Sequence, residues 1–135
     1  LHSFPTRRSS DLSPANDIKG KQQLSGVLGE GTLIRIKDGT MILKPLFRDY
    51  LLKLAEENQI AYQYYISPGG TDGGEIHKEN EGIPTAVIGV CARYIHSTDA
   101  VFDIRDYFSA RHLLKESIIH LTSGQIQQLQ YGKEF

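Results

Sequence analysis

The run TAVIGV, residues 85–90, constrains this chain more than any other segment. It is short and nearly all apolar, so it has no polar face to give to water. Such a run reads as a strand covered on both faces, the signature of a parallel sheet flanked by helices. The sequence before it supplies the neighbours. TLIRIK, residues 32–37, is rich in β-branched residues and bounded by Gly31 and by Asp38-Gly39, which reads as a strand. AYQYYI, residues 61–66, is a second, ended by Ser67-Pro68-Gly69-Gly70. Between them Pro45 opens a helix, because the first helical position needs no N–H donor. Phe47, Leu51, Leu54 and Ala55 then recur at helical spacing as far as Asn58. Residues 75–81 read as a short helix or loop leading past Gly82 and Pro84.

A long final helix follows, with Tyr107, Ala110, Leu114, Ile118 and Leu121 as its apolar stripe. Asp103 or Asp106 in its first turn suits the positive end of the helix dipole. Gly124 is expected to stop this helix, and residues 124–135, QIQQLQYGKEF after the glycine, to form a weakly ordered polar tail. At the other end, residues 1–12 show neither helical nor strand periodicity and resemble the translation of a sequencing-library adapter. They read as a non-native leader, with the natural frame expected to begin upstream. Residues 13–31 read as a polar, glycine-punctuated loop. The alternation of strands and helices gives an α/β fold. A sheet of about three strands leaves an edge open, which points to a missing partner segment.

The 135 residues carry 15 Lys and Arg against 16 Asp and Glu, a formal net charge of −1 and a pI near 6.6. That balance sets up no field toward nucleic acid or an anionic membrane. No apolar run approaches the ~20 residues that a membrane span needs. Cys91 is the single cysteine, which excludes an internal disulfide framework and favours a cytoplasmic home.

The chemistry-bearing segments each allow two readings. SPGGTDGGEIH, residues 67–77, is rich enough in glycine to bring backbone close to a ligand, but it carries no phosphate-binding spacing. It reads equally as a tight strand-to-helix connection. His77, Glu79 and Glu81 share no fixed face and read as solvated. CARYIHS, residues 91–97, follows the buried run at the place where open α/β sheets present their sites. His96 there can offer an imidazole nitrogen to a metal, or it can be structural. Cys91 reads as an inert core residue, and His112 and His120 as surface or partner contacts. Arg35, inside an otherwise apolar strand, can grip a carboxylate with two hydrogen bonds or lie on an exposed strand face.

In order along the chain, D-x-S-P-A-x-D from Asp11, LGEGTLIRIKD, IAYQYYISPGGTDGGEIH and IPTAVIGVCARYIHS resemble the glutamyl aminopeptidase branch of the TET-type metallo-aminopeptidases. These enzymes are also described as deblocking aminopeptidases or as cellulase-M-like. The resemblance covers residues 13–122. It implies part of a three-layer sheet with flanking helices, the C-terminal segment of a zinc-peptidase-like catalytic domain, over residues 13–123.

It also implies two divalent ions (zinc, cobalt or manganese), held by two histidines and three acidic residues, with a glutamate as general base. His96 takes the position of the last ligand and Asp11 that of another. The H-x-D ligand motif, the bridging aspartate and the Glu-Glu pair with the general base are expected upstream and are absent from this sequence, as is the family's β-rich inserted domain. The implied reaction is release of N-terminal residues from peptides by metal-activated water. Thr71, Asp72 and Gly73 of the glycine-rich loop are expected to shape the pocket, and Arg35 to read an acidic side chain there. The resemblance further implies a homo-oligomer, a dodecamer. On this reading the chain alone is inactive. Two other classes stay open: a small anion-binding α/β module using the glycine-rich loop, and an inert oligomer-contact segment.

Overall fold

Leu33 and Ile34 are neighbours in β2 (Thr32–Lys37), and both are fully buried. Successive side chains of a strand point to opposite faces, so this sheet is covered on both. The computed structural model describes residues 10–15, 26–67, 69–70, 72–79 and 82–132, without the side chains of Ser10, Asp11 and Asp72. Its five-stranded sheet has the order β1-β4-β2-β3, with β5 also on β4. β1 (Ser10–Pro14) runs parallel to β4 (Ile88–Arg93), placing Asp11 opposite Gly89 and Ser13 opposite Cys91. β4 runs antiparallel to β2, and β3 (Tyr62–Ile66) parallel to β2. β5 (Val101–Phe102) turns back against the end of β4.

On one face Ile34, Ile88 and Val90 meet Phe47, Leu51, Leu54 and Ala55 of α1 (Pro45–Glu57) and Ala110 and Leu113 of α3 (Ile104–Ile119). On the other face Leu33, Tyr65 and Cys91 form a smaller cluster, covered by Ala15 and Leu28. α2 (Asp72–Lys78) follows the glycine-rich loop. No helix among the described residues is long and apolar enough to cross a membrane.

The α/β class, β2, and α1 with its four buried residues are as expected. Four expectations are corrected. The buried strand spans 88–93 rather than 85–90, and only β1 lies parallel to it. Residues 10–12 belong to β1, held by pairing with β4 and not by any pattern of their own. The buried stripe of α3 is Asp106, Ala110, Leu113 and Ser117, while Tyr107 and Ile118 are exposed. Last, α3 stops before Gly124, with His120 as its C-cap, and the expected tail contains α4 (Ser123–Tyr131). The Thr122 hydroxyl caps α4 by accepting the Gln125 N–H, and Leu129 is buried in the main core. Lys44 closes the far end, its Nζ donating to the carbonyls of Leu129 at 2.9 Å and Gln130 at 3.1 Å.

Candidate active site

β4 leaves the sheet at Arg93, and the chain returns as β5, with Ala92 opposite Phe102 and Arg93 opposite Val101. His96 therefore sits in a loop whose base is pinned by strand pairing. Inside that loop Tyr94 has φ of 61° and His96 φ of 63°. Left-handed backbone is uncommon for residues with a Cβ and costs about 1–3 kcal/mol each, so the surroundings must hold it. Ser97 contributes to that hold: its hydroxyl lies against the carbonyl of Tyr94 and donates to that of Asp99 at 2.8 Å.

The His96 side chain is exposed and makes no hydrogen bond or ion pair within the described residues. An unengaged imidazole is chemically suited to a divalent metal. One ligand does not make a site, however, and no group of three His, Cys, Asp or Glu residues that could hold a metal occurs among the described residues. Asp11 enters β1 opposite Gly89, on the strand next to β4, with its side chain outside the described atoms.

Arg35 lies elsewhere and is enclosed, 4% exposed. Its Nη2 donates to Ser13 Oγ at 2.9 Å, its Nη1 faces Asp38 Oδ2 at 3.5 Å, and its guanidinium lies 5.4 Å from the centre of the Tyr65 ring. Asp38 in turn accepts the Thr40 N–H and hydroxyl at 2.7 Å each and the Met41 N–H at 2.9 Å. The exposed-face reading of Arg35 is thereby corrected: the cation is buried because a carboxylate and a hydroxyl are buried with it.

The same Asp38–Thr40 turn receives the glycine-rich loop. A Cβ on Gly70 would lie 2.6 Å from Thr40 Cγ2, and one on Gly74 would lie 2.0 Å from Thr40 Oγ1. The close approach that these glycines permit is taken up by Thr40. Gly73 is buried at the start of α2, while Thr71 and the Asp72 side chain lie outside the described residues.

The strand directions separate the two segments. The glycine-rich loop follows the C-terminal ends of β2 and β3, beside the N-terminal end of antiparallel β4, whereas His96 follows the C-terminal end of β4. Six residues of strand at about 3.3 Å each put roughly 20 Å between those ends. His96 and Gly73 are not brought into one cleft among the described residues.

Over residues 9–113 the sequence matches the M42 glutamyl aminopeptidase family. The chain belongs to that family. It is 39% identical over 119 residues to the glutamyl aminopeptidase of Lactococcus lactis subsp. cremoris (strain MG1363), covering 88% of this chain and 33% of that protein. It is 28% identical over 107 residues to the lysyl aminopeptidase of Pyrococcus furiosus, covering 78% of this chain and 30% of the relative. Among solved structures it is similar to the TET aminopeptidase of Thaumarchaeota archaeon SCGC AB-539-E09. There the TM-score is 0.84 and the identity 28%, over 89% of this chain and 34% of that one. The chain thus spans about a third of the length of the relatives it matches.

Two residues of this M42 chain whose roles sequence patterns did not give shape the His96 end. Ser97 spans the loop, and nothing in its spacing announces that role. Asp106 was legible only as a first-turn acid, yet it is fully buried, accepting N–H groups from Gly29 and Gly31 at 2.9 Å. Cys91 Sγ lies 3.9 Å from the same carboxylate. Asp103 caps α3, and its hydrogen bonds from the Arg105 side chain and backbone hold its carboxyl down at about 2. His112 and His120 are exposed on α3, each facing Glu116.

Proposed function

We propose that this chain supplies the His96 portion of the active site in a metal-dependent aminopeptidase that releases N-terminal residues, Glu or Asp by preference, from peptides. One observation carries the reading within an M42 chain. An unengaged imidazole is presented to solvent from a strained loop at the carboxyl end of a central strand. His96 is the proposed ligand from that loop and Asp11 the proposed ligand from β1. Zinc, cobalt and manganese all accept imidazole and carboxylate donors. A divalent metal, when bound, supplies Lewis acidity and lowers the pKa of a bound water.

This chain's own part is to hold the His96 imidazole nitrogen free of competing hydrogen bonds and to fix its direction from β4. The likeness to a glutamyl aminopeptidase supports the acidic preference, and the likeness to a lysyl aminopeptidase names the competing one. Arg35, Thr71, Asp72 and Gly73 are the residues to which the resemblance gives the substrate pocket. The enclosure of Arg35 weighs against a direct grip on substrate. Homo-oligomeric assembly is proposed from the resemblance to the TET-type enzymes, and a cytoplasmic location from Cys91 being the single cysteine of the sequence. The anion-binding alternative is disfavoured because Thr40 fills the space that Gly70 and Gly74 of the loop open.

The test is His96→Ala in a full-length aminopeptidase carrying this segment, with metal content per subunit and the thermal midpoint of the apo-protein measured together. Loss of one metal with an unchanged apo midpoint is expected. Full metal content with a lowered midpoint would make His96 a structural residue and remove the reading.

A further inference from the structure

Tyr94 and His96 hold left-handed backbone on either side of Ile95, in a loop that needs a restraint to keep it. Strand pairing fixes only the base of the loop, at Ala92–Phe102 and Arg93–Val101. Above that base the Ser97 hydroxyl lies against two carbonyls, Tyr94 O and Asp99 O, one on each side of His96. A hydroxyl carries a single proton, so the two carbonyls share it, and the one group pulls both flanks of the loop together.

We infer that Ser97 is the positioning residue of the His96 site. Its hydroxyl holds the loop in the left-handed geometry from which the imidazole is presented, so that the ligand is oriented before a metal arrives. Without that bond the Tyr94 and His96 backbones relax toward ordinary φ, and the imidazole loses its fixed direction. The inference rests on the proposal that His96 is a metal ligand. Removing groups that orient a metal ligand typically weakens metal binding roughly 10–100-fold.

The experiment compares Ser97→Ala, Ser97→Thr and His96→Ala in a full-length aminopeptidase carrying this segment. Zinc affinity is measured by competition with a chelator, the apo-protein's thermal midpoint is recorded, and backbone chemical shifts of Tyr94 and His96 are followed in this chain. Ser97→Ala should weaken zinc binding roughly 10-fold or more and shift the Tyr94 and His96 signals, with the apo midpoint unchanged. Ser97→Thr keeps the hydroxyl and should restore both. If His96→Ala removes a zinc while Ser97→Ala leaves affinity and shifts as they were, the positioning role is wrong and the ligand stands. If threonine fails to rescue what alanine loses, the hydroxyl is not the agent and the inference also falls. If His96→Ala keeps its full zinc, the underlying ligand assignment is what fails.

Discussion

Asp106, in the first turn of α3, accepts the backbone N–H of Gly31 at 2.9 Å across 75 positions of sequence. Its second oxygen takes the N–H of Gly29 at the same distance. One buried carboxylate thus fixes the turn that delivers the chain into β2 and ties it to the helix that follows the His96 loop. Asp106→Asn should destabilise the fold by about 1–3 kcal/mol, because one of the two donors then faces an amide NH2 instead of an oxygen. Urea unfolding measures it, and an unchanged midpoint would mean that the clamp contributes nothing. Gly31→Ala should cost at least as much. Gly31 has φ of 105°, and an added Cβ would lie 2.3 Å from the carbonyl of Ala61, which is backbone and cannot step aside.

A second prediction concerns acid. Asp103 is held at about 2, below its ordinary 3.8, first by the side-chain hydrogen bonds from Arg105 and then by the Arg105 N–H. A folded-state value below the unfolded one means that the cap stabilises the fold above the unfolded value. That contribution is lost as the pH falls from about 3.8 toward about 2. Carboxyl carbon shifts should show Asp103 titrating near 2, and Arg105→Ala should raise its midpoint toward 3.8. A midpoint that Arg105→Ala leaves in place would assign the shift to some other group.

What could be read from sequence was what local pattern specifies. Phe47, Leu51, Leu54 and Ala55 are the four buried residues of α1, because apolar spacing and Pro45 act within one helix. α3 defeated the same reasoning. Two of its four buried positions are polar, Asp106 and Ser117. Each is satisfied, Asp106 by Gly29 and Gly31 and Ser117 by its hydroxyl's bond to the Leu114 carbonyl. An apolarity count therefore slid one residue along the helix, to Tyr107. α4 is polar in composition and is anchored by Lys44, which lies 85 residues from Leu129. β1 has no alternation, and its pairing with β4 carries it. At the site, the RYIHS segment marked His96, but the left-handed backbone and the Ser97 bridge that present it are three-dimensional facts.

A third prediction is that the isolated chain hydrolyses a glutamyl chromogenic substrate only at background rate, with zinc or cobalt added. No group of three metal-binding side chains occurs among its described residues, and losing one member of a cooperating catalytic set typically costs orders of magnitude. Metal-dependent turnover that co-purifies with the chain and disappears in His96→Ala would overturn this.

The last prediction separates two roles for Arg35. Its guanidinium is shared between Ser13 and Asp38 and lies near the Tyr65 ring, with the charged pair out of solvent. Arg35→Met keeps much of the side chain's length but leaves the Asp38 carboxylate buried without this cation. Breaking a buried pair in that way costs about 3–5 kcal/mol. The bonds that Asp38 accepts from Thr40 and Met41 soften the loss, so about 3 kcal/mol is expected in urea unfolding of this chain. Lysine should not rescue it, since an ammonium cannot reproduce the planar fork. In a full-length aminopeptidase carrying this segment, kcat/KM for glutamyl and leucyl substrates should fall together, because a tether between β1, β2 and the turn at Asp38 serves both. A loss confined to the glutamyl substrate, at unchanged stability, would show instead that Arg35 reads the acidic side chain of the substrate.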